Sequence, residues 1–502
     1  MTLLAVVFSI SVLCDLLFWT PYKRRVWAVI AFVGLAATAF ASGALLASKP
    51  GVPSIFLFMF GVYRMFNQVR VVYGRMHEAY LRRAVRHTAT TLLAMQAAVI
   101  VLWWAWLRWQ PDAPLLWQLL TGAQVVVAAV FLASIIRRLQ RTTWPRHLPH
   151  LSDKELPTVS VAIPARNETE ALETCLESVI ASDYPKLEVL VLDDCSQTKR
   201  TPEIIRSFAH AGVRFVQGKT PNDTWLPKNR AYQQLMDEAS GDYIVFLGVD
   251  VQLAPGSIRQ LVAALKQKKK QMMSILPRGS AFTQGRLALA QTMRYWWEVV
   301  PPRRWFGRPP VLSSCWIIAA DALQAAGGFA AATRSVVPEA YFARQLLKQD
   351  AYSFMRSDLH LGITSNKSAA EQRTTAIRLR YPQVHRRPEN VCALTLFQSA
   401  FLVLPFVLGI TGWWLRIGAL ASTLALGAAA MVSLVCILLA HSTRVLRAEY
   451  SFALVPVMAL YDLAILHYSM WRYEFASVDW KGRNICVPAM HVTPRLPSVP
   501  EP

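Results

Sequence analysis

The sequence predicts an α/β domain with a mostly parallel sheet, flanked on both sides by membrane-spanning helices. Two observations predict the membrane part. Of 502 residues, 54% are hydrophobic and 17% charged, whereas a soluble domain holds roughly 45–50% apolar and about 25% charged residues. The apolar residues are also crowded at the two ends of the chain. A third observation predicts the sheet: between those ends, short Val/Leu-rich runs alternate with helical periodicities. The same composition excludes a disordered chain and a collagen-like repeat. Seven cysteines, with no CxxC or Cys/His cluster, exclude a disulfide scaffold and give no zinc pattern. The excess of 53 Lys and Arg over 31 Asp and Glu gives a net charge of +22. On a membrane protein this reads first as anchoring to anionic headgroups. Nucleic acid is not expected as a partner, because no helix-turn-helix, zinc finger or RNA-binding signature is present.

In chain order, Leu3–Trp19, Val26–Ala47, Leu92–Leu107 and Leu115–Ile136 are each about long enough to cross a bilayer. Ser54–Phe66 is shorter and reads as a tilted or interfacial helix, so four to five helices are expected over residues 1–144. The first run reads as a span and not as a cleaved signal, since no A-x-A-like site follows it. Basic clusters at Lys23–Arg25, Arg70–Arg86 and Arg137–Arg141 predict the cytoplasmic side. Residues 145–388 then form a cytoplasmic domain large enough for its own core. Three apolar runs, Val391–Ile410, Ile417–Ala440 and Phe452–Met470, make a second membrane region over residues 389–472, followed by a tail, 473–502. The expected location is the plasma or inner membrane, crossed several times.

Inside the middle domain, Thr158–Pro164 and Leu187–Asp193 read as buried parallel strands. Glu168–Ile180 between them carries Ala171, Leu172, Cys175, Leu176 and Val179 at helical spacing, with Asn167 as the expected N-cap. Glu203–Ala209, Val213–Gln217, Asn229–Glu238, Asp242–Leu247 and Ser257–Lys266 continue the alternation of helix and strand. Ligands of such sheets lie beyond the carboxyl ends of the strands, and the polar motifs fall there. Gln291–Pro310, with Trp296, Trp297 and Trp305 among Arg294, Arg303, Arg304 and Arg308, is expected at the membrane–water boundary.

A series of motifs now resembles one family. These are IPARNE (Ile163–Glu168), LDDCS (Leu192–Ser196), WLPKNRAYQQL (Trp225–Leu235), DYIVFLGVD (Asp242–Asp250), CWIIAADALQAAGGF (Cys315–Phe329), VVPEAYFARQL (Val336–Leu346) and AIRLRYP (Ala376–Pro382). Together they resemble the family 2 glycosyltransferases, which have a GT-A fold. The tail motif WKGR (Trp480–Arg483) is similar to that of lipid-glycosylating membrane members, in the hopene-associated or ceramide glucosyltransferase-like branch. The resemblance implies a nucleotide-sugar donor, a uridine diphosphate sugar first. It also implies a lipid, polyprenyl or polysaccharide acceptor and an Mg²⁺ or Mn²⁺ cofactor.

Residue by residue, the resemblance places Pro164, Glu168 and Asp194 in the donor pocket, with Asp194 accepting from the base. Lys228 opens a helix after a Pro, where its ammonium and the helix dipole both favour phosphate. Asp250 matches the second aspartate of the D-x-D motif and is the expected metal ligand. The first position is Gly248. Glu339 stands where the family has a catalytic aspartate and is the expected general base; a first-turn Glu favoured by the helix dipole is the plainer reading. Arg380 and Tyr381 match an arginine-tryptophan pair that braces the leaving diphosphate and the acceptor, although an interfacial basic patch is also consistent. Gly248, Pro338 and Ile377 all depart from the family's pattern. They leave a second function open: a catalytically degenerate relative that binds nucleotide-sugar and regulates or scaffolds a partner.

Overall fold

The computed structural model describes residues 114–220, 224–280, 288–302, 309–386, 388–475 and 477–485, with scattered positions between 33 and 62. The expected N-terminal spans before Leu115 and their basic clusters lie outside these residues, apart from isolated positions, as do Arg303, Arg304, Trp305 and Arg308. The chain enters through helix α1 (Pro114–Arg141). The α/β domain follows as β1 (Val159–Ala165), α2 (Glu170–Ile180), β2 (Leu187–Asp193), α3 (Arg200–Ser207), β3 (Val213–Gln217), α4 (Pro227–Glu238) and β4 (Tyr243–Leu247). It continues through β5 (Val251–Gln252), α5 (Ser257–Lys268), β6 (Met272–Leu276), β7 (Arg278–Gly279), α6 (Leu289–Val299), β8 (Cys315–Ala319) and α7 (Ala320–Ala325). It ends in α8 (Glu339–Lys348), β9 (Tyr352–Arg356), β10 (Thr364–Ser365) and α9 (Ala369–Gln383). Four more helices follow, α10 (Pro388–Gln398), α11 (Leu404–Thr411), α12 (Ala419–Thr443) and α13 (Ala448–Phe475), then a short hairpin, β11 (Asp479–Trp480) and β12 (Arg483–Asn484).

The main sheet has the order β3-β2-β1-β4-β8-β6-β9. β1 pairs in parallel with β2 and with β4, and β2 with β3. β8 runs antiparallel to β4 and β6. Buried Val and Leu fill both faces of β1 and β2, as helices on both sides of a parallel sheet require. This is the mostly parallel α/β architecture of a GT-A domain. A small second sheet, β5-β10-β7, lies at its edge.

Among the described residues, four helices are long and apolar enough to cross a membrane: Trp117–Arg141, Asn390–Thr411, Ala419–Thr443 and Ala448–Glu474. Leu119 and Val126 on α1 and Leu426 and Leu434 on α12 are exposed, a pattern that suits lipid and not water. The span from α10 to α11 is joined by a π-turn, Ser399–Val403, just before Pro405, whose missing N–H interrupts the ladder there. One buried core runs from Phe246 and Trp316 in the sheet through Trp296 on α6 to Phe131 on α1 and Val435 on α12. The domain and the spans therefore share packing.

Two local expectations change. Asn167 does not cap α2; it adopts φ 48° and its Oδ1 accepts from the Gln197 N–H at 2.8 Å, which delays the helix to Glu170. Trp296 and Trp297, expected at the membrane–water boundary, are buried on α6, because this helix packs against α13 and α9. The Trp297 Nε1–H donates to Asp462 Oδ2 at 3.1 Å.

Candidate active site

Strand order reverses at β1: its sequence neighbour β2 lies on one side and β4 on the other. Open α/β sheets form a ligand crevice at such a point, beyond the strands' carboxyl ends. Here the crevice is a cleft of about 210 Å³, lined by Pro164 and Glu168 after β1, Gly248 and Asp250 after β4, Lys228 and Tyr232 on α4, Arg294 on α6, and Lys367. Ser313, Ser314 and the tail residues Trp480 and Lys481 also line it, and α9 contributes Glu371, Thr374, Thr375 and Arg378. Those four positions follow the i, i+3, i+4, i+7 rule for one helical face. Ser368 and Glu371 form a capping box that starts α9 and so sets its phase.

Asp250 is placed by the turn that ends β4. Its Oδ2 accepts from the Ser365 hydroxyl at 3.0 Å, and the Lys367 ammonium stands 3.7 Å from Oδ1. Burial disfavours its charge, but Lys367, the Ser365 hydrogen bond and Arg294 outweigh it and hold the carboxyl below its usual range. A Cβ at Gly248 would lie 3.0 Å from Asp250 Oδ1. The Asp250 carboxylate thus folds back into the space that a first-position side chain would enter.

Lys228 lies in the first turn of α4 behind Pro227. Its ammonium sits 5.0 Å from the Tyr232 ring centre and 4.0 Å from Glu339 Oε2. Burial pushes its pKa down to about 8, against the opposing pull of Glu339. Glu339 begins α8 and is fully buried. It does not line the cleft but stands directly behind Lys228. Neither of its carboxylate oxygens has a hydrogen-bond partner.

Asp194 and Glu168 meet the tail. Arg483 Nη1 donates to both Asp194 carboxylate oxygens, at 2.8 and 2.7 Å. Lys481 forms an ion pair with Glu168, and its carbonyl accepts from Arg166 Nε at 2.9 Å. Burial raises the pKa of both acids, while Lys481 and Arg483 act against the rise. The hairpin turns through Lys481 (φ 49°) and Gly482 (φ 79°), the two left-handed residues that a tight primed turn requires. Trp480 lies under the Arg378 guanidinium, 5.2 Å away.

Arg380 and Tyr381 are not in the cleft. Arg380 is buried and pairs with Asp462 on α13, which also accepts from Gln398 Nε2 at 2.9 Å. The Tyr381 hydroxyl donates to Glu474 at 2.8 Å. Residues two apart on a helix point to nearly opposite sides. Arg378 therefore takes the cleft while Arg380 clamps the domain to a membrane helix. Sequence reasoning missed Lys367, Arg378 and Trp480 as cleft residues, and set Arg294 at the membrane. The S-x-x-E signal at Ser368–Glu371 could have phased α9 correctly.

Residues 160–320 match the family Glycosyl transferase family 2. This segment is similar to family 2 glycosyltransferase domains, over about a third of the chain. A probable glycosyltransferase, YdaM, of Bacillus subtilis is 32% identical over 134 residues, 26% of this chain and 31% of that protein. The GalNAc(5)-diNAcBac-PP-undecaprenol beta-1,3-glucosyltransferase of Campylobacter jejuni is 28% identical over 107 residues, 21% of this chain and 34% of that protein. The chain thus matches about a third of the length of these curated relatives. Among solved structures, the mannosyltransferase PcManGT of Pyrobaculum calidifontis, in complex with GDP-Man and Mn²⁺, is similar with a TM-score of 0.44 and 16% identity. That match covers 71% of this chain and 99% of PcManGT.

Among the described residues of the glycosyltransferase domain, no three His, Cys, Asp or Glu converge to hold a metal by themselves. Mg²⁺ and similar hard cations commonly take one or two carboxylates and complete their shell with substrate phosphate oxygens and water. Asp250, the half-buried carboxylate that follows β4, fits that one-carboxylate arrangement.

Proposed function

We propose that this chain is a membrane-bound, inverting glycosyltransferase. It moves a sugar from a nucleotide-sugar, with a uridine diphosphate sugar as the donor, to a lipid or polyprenyl acceptor or a growing polysaccharide. The observation that carries the proposal is the cleft at the strand-order reversal, where Lys228, Arg294, Lys367 and Arg378 converge around Asp250. These four cations, with Lys481 a fifth in the lining but paired with Glu168, suit a diphosphate leaving group. An acceptor linked to lipid is favoured by the packing of the domain on apolar spans and by the undecaprenol-linked name of the Campylobacter relative. The basic ends of α1 and α12 on the domain side, with Arg137, Arg141, Arg444 and Arg447 against Arg416 at the far end, support a cytoplasmic domain in the plasma or inner membrane.

In this reading the acceptor oxygen attacks the anomeric carbon as its bond to the diphosphate breaks. Glu339 takes the acceptor proton: its unpartnered oxygens lack the donor that an acceptor hydroxyl would supply. Lys228, Arg294 and Arg378 neutralise the departing diphosphate, and Pro164, Glu168 and Asp194 line the nucleotide half. An Mg²⁺ or Mn²⁺ ion held by Asp250 and the diphosphate would add Lewis-acid stabilisation of the leaving group. The test is to incubate the purified chain with a panel of nucleotide-sugars, Mn²⁺ and lipid acceptor, and to measure nucleoside diphosphate release. Release from one donor is the expected result.

A binding-only relative is the second reading. It is favoured by the pairing of Glu168 and Asp194 with Lys481 and Arg483, which fills the nucleotide half with the chain's own cations. Tight nucleotide binding without release from any donor would establish it instead.

A further inference from the structure

A second cavity, about 720 Å³ in volume, lies where α1 and α12 both end, on the side of the α/β domain. It is separate from the cleft. Its wall brings Arg146, Arg278, Arg356 and Arg444 together with His360 and His441, against a single carboxylate, Asp358. That carboxylate is already committed: Asp358 Oδ1 accepts from the N–H groups of His360 at 3.0 Å and Leu361 at 2.8 Å. Arg356 is also committed, donating to the Thr142 hydroxyl and the Leu139 carbonyl, both at 3.0 Å. The guanidiniums of Arg146, Arg278 and Arg444 make no hydrogen bond or ion pair with any described residue. Burial and the nearby Arg444 press the Arg278 pKa downward, and Asp358 offsets this only in part, as expected where guanidiniums outnumber the carboxylate in one pocket.

Position decides which anion suits this pocket. Trp117–Arg141 and Ala419–Thr443 are both of spanning length and both finish here, so the cavity opens where apolar helix surface gives way to polar domain. Leu359, on the rim between Asp358 and His360, is 85% exposed. A lone exposed leucine is ordinary on a soluble surface; beside unpaired guanidiniums at the end of two spans, it suits contact with acyl chains. Basic pockets at such boundaries select anionic headgroups.

We propose that this cavity is a binding site for the phosphate headgroup of an anionic membrane lipid, gripped by Arg278 and Arg444, with Leu359 in the acyl layer. The site also abuts the cleft's scaffold. A Cβ at Gly279 would lie 2.3 Å from the Arg444 carbonyl, and β7 pairs with β10, whose Ser365 holds Asp250.

Native mass spectrometry of the full chain in neutral detergent, titrated with phosphatidylglycerol or phosphatidylcholine, tests the proposal. Phosphatidylglycerol should be retained over phosphatidylcholine. Arg278→Gln with Arg444→Gln should lower that retention by about tenfold or more, the scale of losing charge-assisted hydrogen bonds. Leu359→Ser, an exposed change that leaves the fold intact, should lower lipid retention by less. Inorganic phosphate at millimolar concentration should not displace the lipid. Equal retention of the two lipids, or unchanged phosphatidylglycerol retention in the double variant, would overturn the site. Full displacement by inorganic phosphate, with no effect of Leu359→Ser, would overturn its assignment to lipid in favour of a free anion. If the double variant does not fold, Arg444→Gln alone, at an exposed residue, makes the same comparison.

Discussion

Two sides of the site, in and just behind the cleft wall, handle buried charge in opposite ways. In the nucleotide half, Asp194 and Glu168 each have a tail cation bonded to them. On the side proposed for transfer, Glu339 lies behind the cleft wall, fully buried with no hydrogen bond to either oxygen, and Lys228 stands 4.0 Å away. A buried carboxylate that lacks partners costs stability. A fold retains such a group where the missing partner arrives with substrate. The contrast teaches that the nucleotide half is stabilised as it stands, whereas the transfer half is poised. Changes in the first should move binding and order; changes in the second should move turnover without loss of stability.

The largest expected effect breaks the poised half. Glu339→Gln preserves shape and removes the charge, so turnover should fall by about 10²–10⁴-fold, the usual worth of a positioned base. Nucleotide affinity at pH 6 should change little, and the thermal midpoint should move little, because the desolvation cost of the buried carboxylate and its pairing with Lys228 leave together. Nucleoside diphosphate release, calorimetric binding and a melting curve on one preparation check all three. Parent-rate release in Glu339→Gln would remove Glu339 from the chemistry.

Behind the cleft, Arg380 and Asp462 give the opposite case, a fully paired buried ion pair. Arg380→Ala leaves Asp462 uncompensated beside Trp297 and Gln398, and should cost about 3–5 kcal/mol of stability. Arg378→Ala, two residues earlier, should spare stability and reduce turnover. Melting curves and release assays on both variants separate the roles. If both lose only stability, the cleft assignment of Arg378 is wrong.

This pair also shows what could be read from the sequence and what could not. Strands β1, β2 and β4 were legible because unbroken Val/Leu runs ending at Pro164, Asp193 and Leu247 have one plausible geometry. Their ends carried Glu168 and Asp250 into one crevice, as strand-end residues of such a sheet must be. The motif around Arg380 was legible only as a string. Which arginine faces the cleft depends on the phase of α9, and that is set at Ser368, twelve residues upstream. The burial of Trp296 and Trp297 was not legible, because tryptophan among arginines suits a membrane boundary as well as a core, and only the packing of α13 against α6 reveals it. The return of the tail was beyond sequence reasoning. Arg483 meets Asp194 across 289 positions, and no local periodicity encodes a contact of that range.

In the stabilised half the effect should be smaller. Asp194→Ala removes an acceptor at a dry strand end and should weaken nucleotide binding by roughly 1–3 kcal/mol, about 5- to 150-fold. It also unpairs Arg483, so the hairpin at 479–484 should become more accessible to protease. Calorimetry and limited proteolysis read the two consequences. Unchanged affinity would move the base pocket away from Asp194.

The smallest effect concerns pH, and it joins the two halves of the argument at Lys228. With its pKa pushed down to about 8 by burial, Lys228 is an ammonium below that pH and a neutral amine above it. A diphosphate binds the ammonium, so kcat/KM should be flat up to about pH 8 and then fall by about tenfold per pH unit, since this parameter reports ionisation in the free enzyme. Saturating donor should move the limb upward, because the bound diphosphate favours the charged form. Lys228→Arg keeps its charge far above this range and should abolish the limb, at some loss of rate from altered geometry. Glu339→Gln supplies the sharper comparison. Glu339 is the group that holds the Lys228 pKa up against burial, so its neutralisation should shift the donor-binding limb to lower pH even though turnover is nearly lost. Nucleotide affinity measured from pH 6 to pH 9 follows that shift directly. A limb that stays in place in Glu339→Gln would mean that the two side chains do not share a field, and that the poised half of the cleft is not built around their pairing.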